Sequence, residues 1–137
     1  LEYYLDIILG NTHLLGPVEN KPENLHRLNE NDVVVGISFA RYTQSTVNMM
    51  AFAKERNART IAITDNLLSP LIPHADIVLT ASSQLPTFFD SFVAPLSLIN
   101  TLITFIGKKR MNESEERLEK LEEIWERFGT FYSNGNE

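Results

Sequence analysis

The sequence predicts an α/β layered domain built around a parallel β-sheet, and three observations lead to this fold class. The chain has 137 residues, of which 43% are hydrophobic and 22% charged, as in an ordinary globular domain with one core. Short runs of apolar, β-branched residues occur without polar alternation, which is typical of strands buried on both faces. Segments with helical spacing separate these runs, and strands that alternate with helices indicate α/β layers.

Three apolar runs in the middle of the chain predict the strands of this sheet. These runs are DVVVGIS at residues 32–38, RTIAITD at 59–65 and DIVLT at 76–80. Between the first two, residues 46–56 place apolar side chains at helical spacing, and Asn57 supplies a stop signal. This strand–helix–strand unit of about 30 residues predicts a right-handed parallel crossover. A further, weaker strand is predicted at residues 12–15.

Helices are predicted in the first and last parts of the chain. Residues 1–9 form one helix, which Gly10 ends. Residues 92–106 are apolar around most of the helical circumference, which predicts a helix buried against the sheet or at a subunit contact. Asp90 or Ser91 is expected to cap this helix.

Residues 107–137 predict a helical extension. Asn112 is placed to cap its helix, and apolar residues then recur three and four positions apart, at Leu118, Leu121, Trp125 and Phe128. This stripe packs either on its own domain or on a partner. We therefore expect one domain over residues 1–106 and an extension over 107–137.

The composition argues against several classes of function. The chain carries 12 basic and 18 acidic residues, a net charge of -6, and no basic face emerges, so it is poorly suited to bind nucleic acid by itself. The absence of cysteine excludes disulfides and thiolate metal sites, and a reducing cytoplasm fits best. The histidines match no zinc spacing and no glycine-rich dinucleotide fingerprint is present, so we expect neither metal nor cofactor. The longest apolar stretch is too short for a membrane span of about 20 residues.

The polar segment at residues 38–46 is the strongest candidate for a binding site. It leaves the first predicted strand and enters the next helix, and ligands of open parallel sheets bind beyond the carboxyl ends of the strands. Its hydroxyl side chains include Ser38, Thr43 and Thr46. Hydroxyls, backbone N–H groups and a helix N-terminus can form a phosphate site, to which Arg41 adds a positive charge. Alternatively, these hydroxyls only cap the helix and satisfy the turn.

Two further polar segments follow the other predicted strands. Asp65 either holds a ligand hydroxyl or forms a turn. Residues 81–87 either close over a ligand or simply connect the third strand to Ser91 and the next helix. The residues alone therefore indicate an α/β domain with a candidate site for a small anion.

Two stretches, residues 32–43 and 58–65, resemble the sugar isomerase (SIS) domain. More narrowly, LLSPL at 67–71, ADIVL at 75–79 and DSFVAPL at 90–96 resemble the RpiR-type transcriptional regulators. The resemblance covers residues 1–106. It implies a flavodoxin-like, three-layer α/β/α fold with five parallel strands that is usually dimeric.

The resemblance implies that the chain is the phosphosugar-sensing domain of a DNA-binding regulator of carbohydrate metabolism. The implied partners are a phosphorylated sugar, operator DNA through an N-terminal helix-turn-helix domain, and further copies of the chain in a homodimer or higher homo-oligomer. Because the sequence starts at Leu1, we expect the DNA-binding domain and an N-terminal strand to lie upstream of it. The alternatives are a phosphosugar isomerase or lyase, with His74, Glu55 or Asp65 as base, and a dimerisation module without ligand.

The resemblance also implies which residues hold the ligand, and it assigns no catalytic residue. The implied set is Ser38, Thr43, Thr46, Arg41 and Ser91. The family's loop commonly reads Ser-x-Ser-Gly-x-Thr, whereas Ala40 and Arg41 stand here for the second serine and the glycine. The lost hydroxyl removes one hydrogen bond to phosphate, on the order of 1.5–3 kcal/mol. Arg41 either compensates by its charge or blocks the close backbone approach that glycine allows.

Overall fold

A computed structural model describes residues 1–15 and 25–131 and confirms the α/β architecture. In chain order the elements are α1 (Glu2–Leu9), β1 (Val33–Ile37), α2 (Gln44–Glu55), β2 (Arg59–Thr64), a 3₁₀ turn (Ile72–His74), β3 (Ile77–Thr80), α3 (Val93–Lys109) and α4 (Met111–Phe128). The chain forms two compact units. One consists of Leu1–Leu14 with Ile99–Glu137, and the other consists of Leu15–Leu98 and contains the sheet.

The sheet is parallel, with the strand order β1-β2-β3. All three predicted strands are present, and the described residues contain three strands where the resemblance implies five. The strand expected at residues 12–15 is wrong, because residues 11–15 form no strand. Gly10 ends α1 in the left-handed conformation, and the N–H of Thr12 then donates to the Asp6 carboxylate at 3.1 Å. This segment thus folds back on the end of α1.

The core of the second unit lies between α2 and one face of the sheet. Met50 from α2, Ala62 from β2 and Leu71 form its buried cluster. Gly36 in β1 makes room for this cluster, since a Cβ at Gly36 would lie 2.6 Å from the Met50 Cγ and Sδ. The predicted crossover helix and its stop signal are confirmed, because α2 is followed by Asn57 with a φ of 61°.

The long apolar helix α3 begins as expected but is more exposed than its sequence predicts. The N–H of Val93 donates to the Ser91 Oγ at 3.4 Å, which confirms Ser91 as a cap. Pro95 is buried, whereas Leu96 and Phe105 are more than half exposed. Leu96 and Phe105 are thus not buried within one copy of the chain. The alternative of a subunit contact stays a prediction, because an apolar circumference predicts burial without specifying the surface that supplies it.

Helix α4 starts two residues earlier than predicted and uses a different cap. Arg110 is the N-cap and makes no side-chain cap bond, so the assignment of Asn112 is wrong. The Arg110 carbonyl instead accepts the N–H and the hydroxyl of Ser114, both at 2.9 Å. A serine inside the first turn can donate its hydroxyl to the carbonyl four residues earlier. This bond does not pair the free N–H groups of the first turn, which an N-cap side chain would satisfy.

The stripe on α4 packs on α1 of the same chain. Leu121 and Trp125 line a cleft of about 390 Å³ together with Tyr3 and Ile7. The Arg117 guanidinium donates to the Ile8 carbonyl at 2.7 Å and satisfies a carbonyl at the end of α1. Phe128, the last residue of the predicted stripe, remains largely exposed.

A polar network joins the starts of β2 and β3. The N–H and the hydroxyl of Thr60 donate to the Asp76 Oδ2 at 2.9 and 3.0 Å, and the Lys54 ammonium donates to the Asp76 Oδ1. The hydrogen bond from Lys54, followed by those from Thr60, lowers the pKa of Asp76 from 3.8 to about 2. All of these bonds favour the ionised carboxylate.

We expect the chain to lose stability in acid through this network. Because the pKa of Asp76 is lower in the folded chain, its stabilising effect is complete above about pH 4 and is lost as the pH falls toward 2. Urea unfolding at pH 5, 4 and 3 should show a falling midpoint in the wild type. In Asp76→Asn the fall should be shallower, and equal slopes for the two proteins would contradict this assignment.

Candidate functional site

The carboxyl ends of the three strands meet at one edge of the sheet. Ile37 pairs with Ile63, and Thr64 pairs with Thr80, so the segments that follow the strands all leave from this edge. Parallel strands require this arrangement, and it is where α/β sheets bind ligands. The three polar segments predicted from the sequence therefore leave from a common edge.

Ser38 fixes the first of these segments in place. Its side chain is buried, and its Oγ accepts the N–H of Thr43 at 3.1 Å. Its N–H donates to the Ile63 carbonyl at 3.1 Å, and its own carbonyl accepts the Thr64 hydroxyl at 2.7 Å. The Ser38 hydroxyl thus satisfies the turn, as the alternative from the sequence proposed, and holds the start of α2 against the end of β1.

Thr43 is the N-cap of α2, yet its hydroxyl makes no cap hydrogen bond. Its carbonyl accepts the N–H of Thr46 at 3.0 Å, and its side chain is exposed. The N–H groups of Gln44 and Ser45, in the first turn of α2, have no partners within the helix by the geometry of a helix. A hydroxyl and two amides are therefore available together at the positive end of a helix dipole.

Arg41 occupies the position of the family's glycine and keeps the backbone conformation that glycine favours. Its φ is 64°, in the left-handed region. Its side chain is 88% exposed, and its guanidinium lies 3.9 Å from the Asp90 carboxylate, which makes a weak ion pair. The loop therefore has the glycine-type turn, and it presents a positive charge beside the start of α2.

We expect Arg41→Gly to raise the free energy of unfolding by about 1 kcal/mol, because a side chain in the left-handed region costs about 1–2 kcal/mol and the greater freedom of unfolded glycine offsets part of the gain. Arg41→Ala retains the backbone strain and serves as the matched control. Chemical denaturation of the three proteins measures the difference. Equal stability of the glycine and alanine variants would contradict a strained turn.

Tyr42 and Asp65 form a pair that the sequence did not reveal. The Tyr42 hydroxyl donates to the Asp65 Oδ1 at 2.8 Å, and the Asn66 amide donates to the Oδ2 at 2.8 Å. Burial, followed by the Asp65 carboxylate, raises the pKa of Tyr42. Both carboxylate oxygens of Asp65 are thus engaged, so Asp65 serves to link the first two segments.

The third segment approaches the first through aromatic and charged residues. The rings of Phe39 and Phe92 meet edge to face, with centroids 5.6 Å apart. Arg41 and Asp90 form the weak ion pair described above. Ser91 lies between Asp90 and Phe92, and its hydroxyl accepts the N–H of Val93. The structure therefore brings the segment that carries Ser91 beside the first loop, with the Ser91 hydroxyl engaged in capping α3.

Glu55 and His74, the other two residues considered as a catalytic base, lie at the opposite edge of the sheet. Glu55 ends α2, which runs back from the carboxyl edge over 12 residues, or about 18 Å. His74 lies in the 3₁₀ turn that precedes β3. Among the three candidates, only Asp65 lies near the loop of Ser38 and Thr43.

Residues 1–15 and 25–131 contain no group of three or more His, Cys, Asp or Glu side chains placed to hold a metal ion. Across the same residues, no helix is long and apolar enough to cross a membrane.

The sequence pattern of the SIS domain matches residues 1–105. An N-acetylmuramic acid 6-phosphate etherase of Bacteroides fragilis is 35% identical in an alignment of 77 residues, and the match covers 50% of this chain and 27% of the etherase. The matched region therefore spans about a quarter of that relative's length.

Two solved structures share the fold. The sugar isomerase domain of an RpiR transcription factor from Sphaerobacter thermophilus is 28% identical, with a TM-score of 0.79 over 88% of this chain and 68% of that chain. The NanR protein of Vibrio vulnificus, complexed with ManNAc-6P, is 17% identical, with a TM-score of 0.78 over 92% of this chain and 49% of that chain. At 17% identity the second likeness shows the fold alone. With its pattern matched over residues 1–105, the chain belongs to the SIS domain family.

Proposed function

We propose that this chain is the effector-binding domain of an RpiR-type transcriptional regulator of carbohydrate metabolism, and that its effector is the 6-phosphate of an amino sugar. The observation that carries the proposal is the division of roles between Ser38 and Thr43. Ser38 satisfies the turn, which leaves the Thr43 hydroxyl and the first amides of α2 available at the carboxyl edge. Residues 1–106 form the binding domain in this proposal, and residues 107–137 form its extension.

The phosphate is the group that this arrangement suits best. A helix N-terminus with free amides attracts an anion, and hydroxyl donors add hydrogen bonds to its oxygens. Thr43, Thr46 and Arg41 lie together on the loop and the first turn of α2. In this proposal Arg41 supplies the charge that replaces the family's second hydroxyl, and it leaves Asp90 to do so. Ser91 contributes from the segment beside the loop.

Two comparisons support an N-acetylated amino sugar as the rest of the ligand. One relative acts on N-acetylmuramic acid 6-phosphate, and one structural neighbour is complexed with ManNAc-6P. Both molecules are 6-phosphates of N-acetylated amino sugars. The shared chemistry narrows the panel of candidate ligands.

A thermal-shift panel tests the proposal. It contains ManNAc-6P, N-acetylmuramic acid 6-phosphate, glucose 6-phosphate, the unphosphorylated parent sugars and inorganic phosphate. We expect the melting temperature to rise selectively with an amino sugar 6-phosphate, since a ligand at a hundredfold excess over its Kd adds about 2.7 kcal/mol. The parent sugars should produce no shift.

Thr43→Val and Thr130→Val are matched variants for this panel, because both threonines are exposed. The first should lose most of the shift, whereas the second, outside the loop and the third segment, should retain it. If no 6-phosphate shifts the wild type, the proposal is wrong and a dimerisation module without ligand is favoured. If Thr43→Val retained the full shift in melting temperature, the phosphate would have to bind somewhere other than the start of α2.

Regulation follows if the effector binds one arrangement of the regulator more tightly than another. In this proposal a homodimer or higher homo-oligomer in the cytoplasm reads operator DNA through a helix-turn-helix domain outside these 137 residues. The net charge of -6 supports the assignment of DNA binding to another domain, because this chain lacks the excess of basic residues that binding to a phosphate backbone requires.

Etherase activity is the second candidate, because the Bacteroides fragilis relative is an etherase. Proton abstraction needs a base within reach of the substrate. Asp65 lies nearest to the loop, but Tyr42 and Asn66 engage both of its carboxylate oxygens. We therefore expect no turnover, and NMR of N-acetylmuramic acid 6-phosphate incubated with the chain tests this. Cleavage of its ether bond would establish the enzyme instead.

A further inference from the structure

Ser83 is a buried polar residue whose hydroxyl the fold does not use. Its side chain is 0% exposed, and the hydroxyl has no hydrogen-bond partner among the described residues. Buried hydroxyls in folded proteins are nearly always paired, because an unpaired one loses its bonds to water without compensation. The chain therefore holds this hydroxyl at a cost to its own stability.

The position of Ser83 connects it to the proposed binding site. It follows β3 at the carboxyl edge of the sheet, as the loop at residues 38–43 follows β1. Its carbonyl accepts the N–H of Ser91 at 2.7 Å, which ties its backbone to the start of α3. Phe92, the next residue, packs edge to face on Phe39. The unpaired hydroxyl thus belongs to a segment that packs beside the first loop.

We propose that Ser83 is a further ligand-binding residue, whose hydroxyl donates a hydrogen bond to an oxygen of the bound sugar phosphate. The inference rests on the proposed function, since the ligand is the same. The ligand supplies the partner that the hydroxyl lacks in the free chain. Binding therefore recovers a stabilising interaction that folding alone leaves unmade.

A turn at residues 84–90 follows Ser83 directly in the chain. Gln84 and Asp90 close the turn through an isolated antiparallel bridge, and Asp90 makes the long contact with Arg41. At its tip Phe88 is 87% exposed, so its ring does not anchor the turn in the core. In our proposal the phosphate draws Arg41 away from Asp90, and the turn then opens enough for the ligand to reach Ser83.

Ser83→Ala and Ser82→Ala, measured with and without ligand, test the inference. Ser82 is the matched control, because it is exposed and adjacent. Melting temperatures are measured on the free proteins. Calorimetric titration then uses the 6-phosphate that gives the largest shift in the panel above. We expect free Ser83→Ala to melt at the same or a higher temperature than the wild type and to bind about tenfold more weakly. Ser82→Ala should retain the wild-type affinity.

Three results would overturn the inference, and they are distinguishable. If the wild type binds the ligand and Ser83→Ala binds it with the same affinity, Ser83 does not belong to the site. The proposed function would then be unaffected. A lower melting temperature of free Ser83→Ala would show that the hydroxyl stabilises the fold, for example through a buried water. A wild type that binds no member of the panel would overturn both proposals.

Discussion

Leu71→Ala is expected to lower the free energy of unfolding by about 2–5 kcal/mol, the range for removing a large aliphatic side chain from a core. Leu71 is fully buried and packs with Met50 and Ala62 in the core beneath the sheet. Tyr42 packs against the same cluster, so the cavity lies directly below the loop that precedes α2. Met50 lies on α2 and Ala62 on β2, and these two elements pack against each other. The residues around the cavity can therefore move into it only in part.

Urea denaturation of Leu71→Ala and Leu68→Ala measures this effect. Leu68 is 94% exposed and lies three residues earlier in the same segment, which makes it a matched control. Its replacement should change the free energy by less than about 0.5 kcal/mol. If both variants lost the same small amount, Leu71 would not lie in the core.

Gly36→Ala is expected to cost about 1–3 kcal/mol through overpacking. The added Cβ would lie 2.6 Å from both the Cγ and the Sδ of Met50, closer than side chains pack. Met50 is buried, so it cannot move aside into solvent. Either the side chain leaves its rotamer or α2 shifts away from β1. The second response would also displace the start of α2, and with it the proposed phosphate site.

Gly107→Ala is expected to raise the free energy of unfolding, which the same urea denaturation measures. Gly107 lies within α3, and its added Cβ would meet the Ile8 Cδ1 at an ordinary 3.6 Å. Alanine is the better helix former, so this variant should gain about 1 kcal/mol. Gly36 is closely packed and Gly107 is not. If both alanine variants changed the free energy of unfolding in the same direction, the close contact between β1 and α2 would be contradicted.

The strands and the crossover helix could be predicted because their signals are local. The β-branched run at residues 33–35 and the stop at Asn57 depend on the backbone preferences of a few neighbouring residues. The loop at residues 38–46 could be placed at the carboxyl edge for the same reason, since strand and helix boundaries fix its position. Its binding role stays a prediction.

The remaining features depend on contacts between distant residues. The Tyr42–Asp65 bond joins positions 23 residues apart, and no local pattern indicates it. Ser83 looks like any loop serine until the fold buries it. Polar residues favour caps and turns for several reasons, so the sequence could not divide the roles of Ser38 and Thr43. A tyrosine between a strand and a helix, as at position 42, was the only local hint that its hydroxyl would bond to a residue after the next strand, here Asp65.

Calorimetric titration of ManNAc-6P and of its unphosphorylated parent sugar into the wild-type chain tests the central claim most directly. If the loop and the first turn of α2 hold the phosphate, the phosphorylated sugar should bind saturably and about a hundredfold more tightly, the equivalent of about 2.7 kcal/mol. Thr43→Val should reduce that preference. Equal affinities for the two sugars, or no saturable heat with the phosphate ester, would contradict a phosphosugar site at this edge of the sheet.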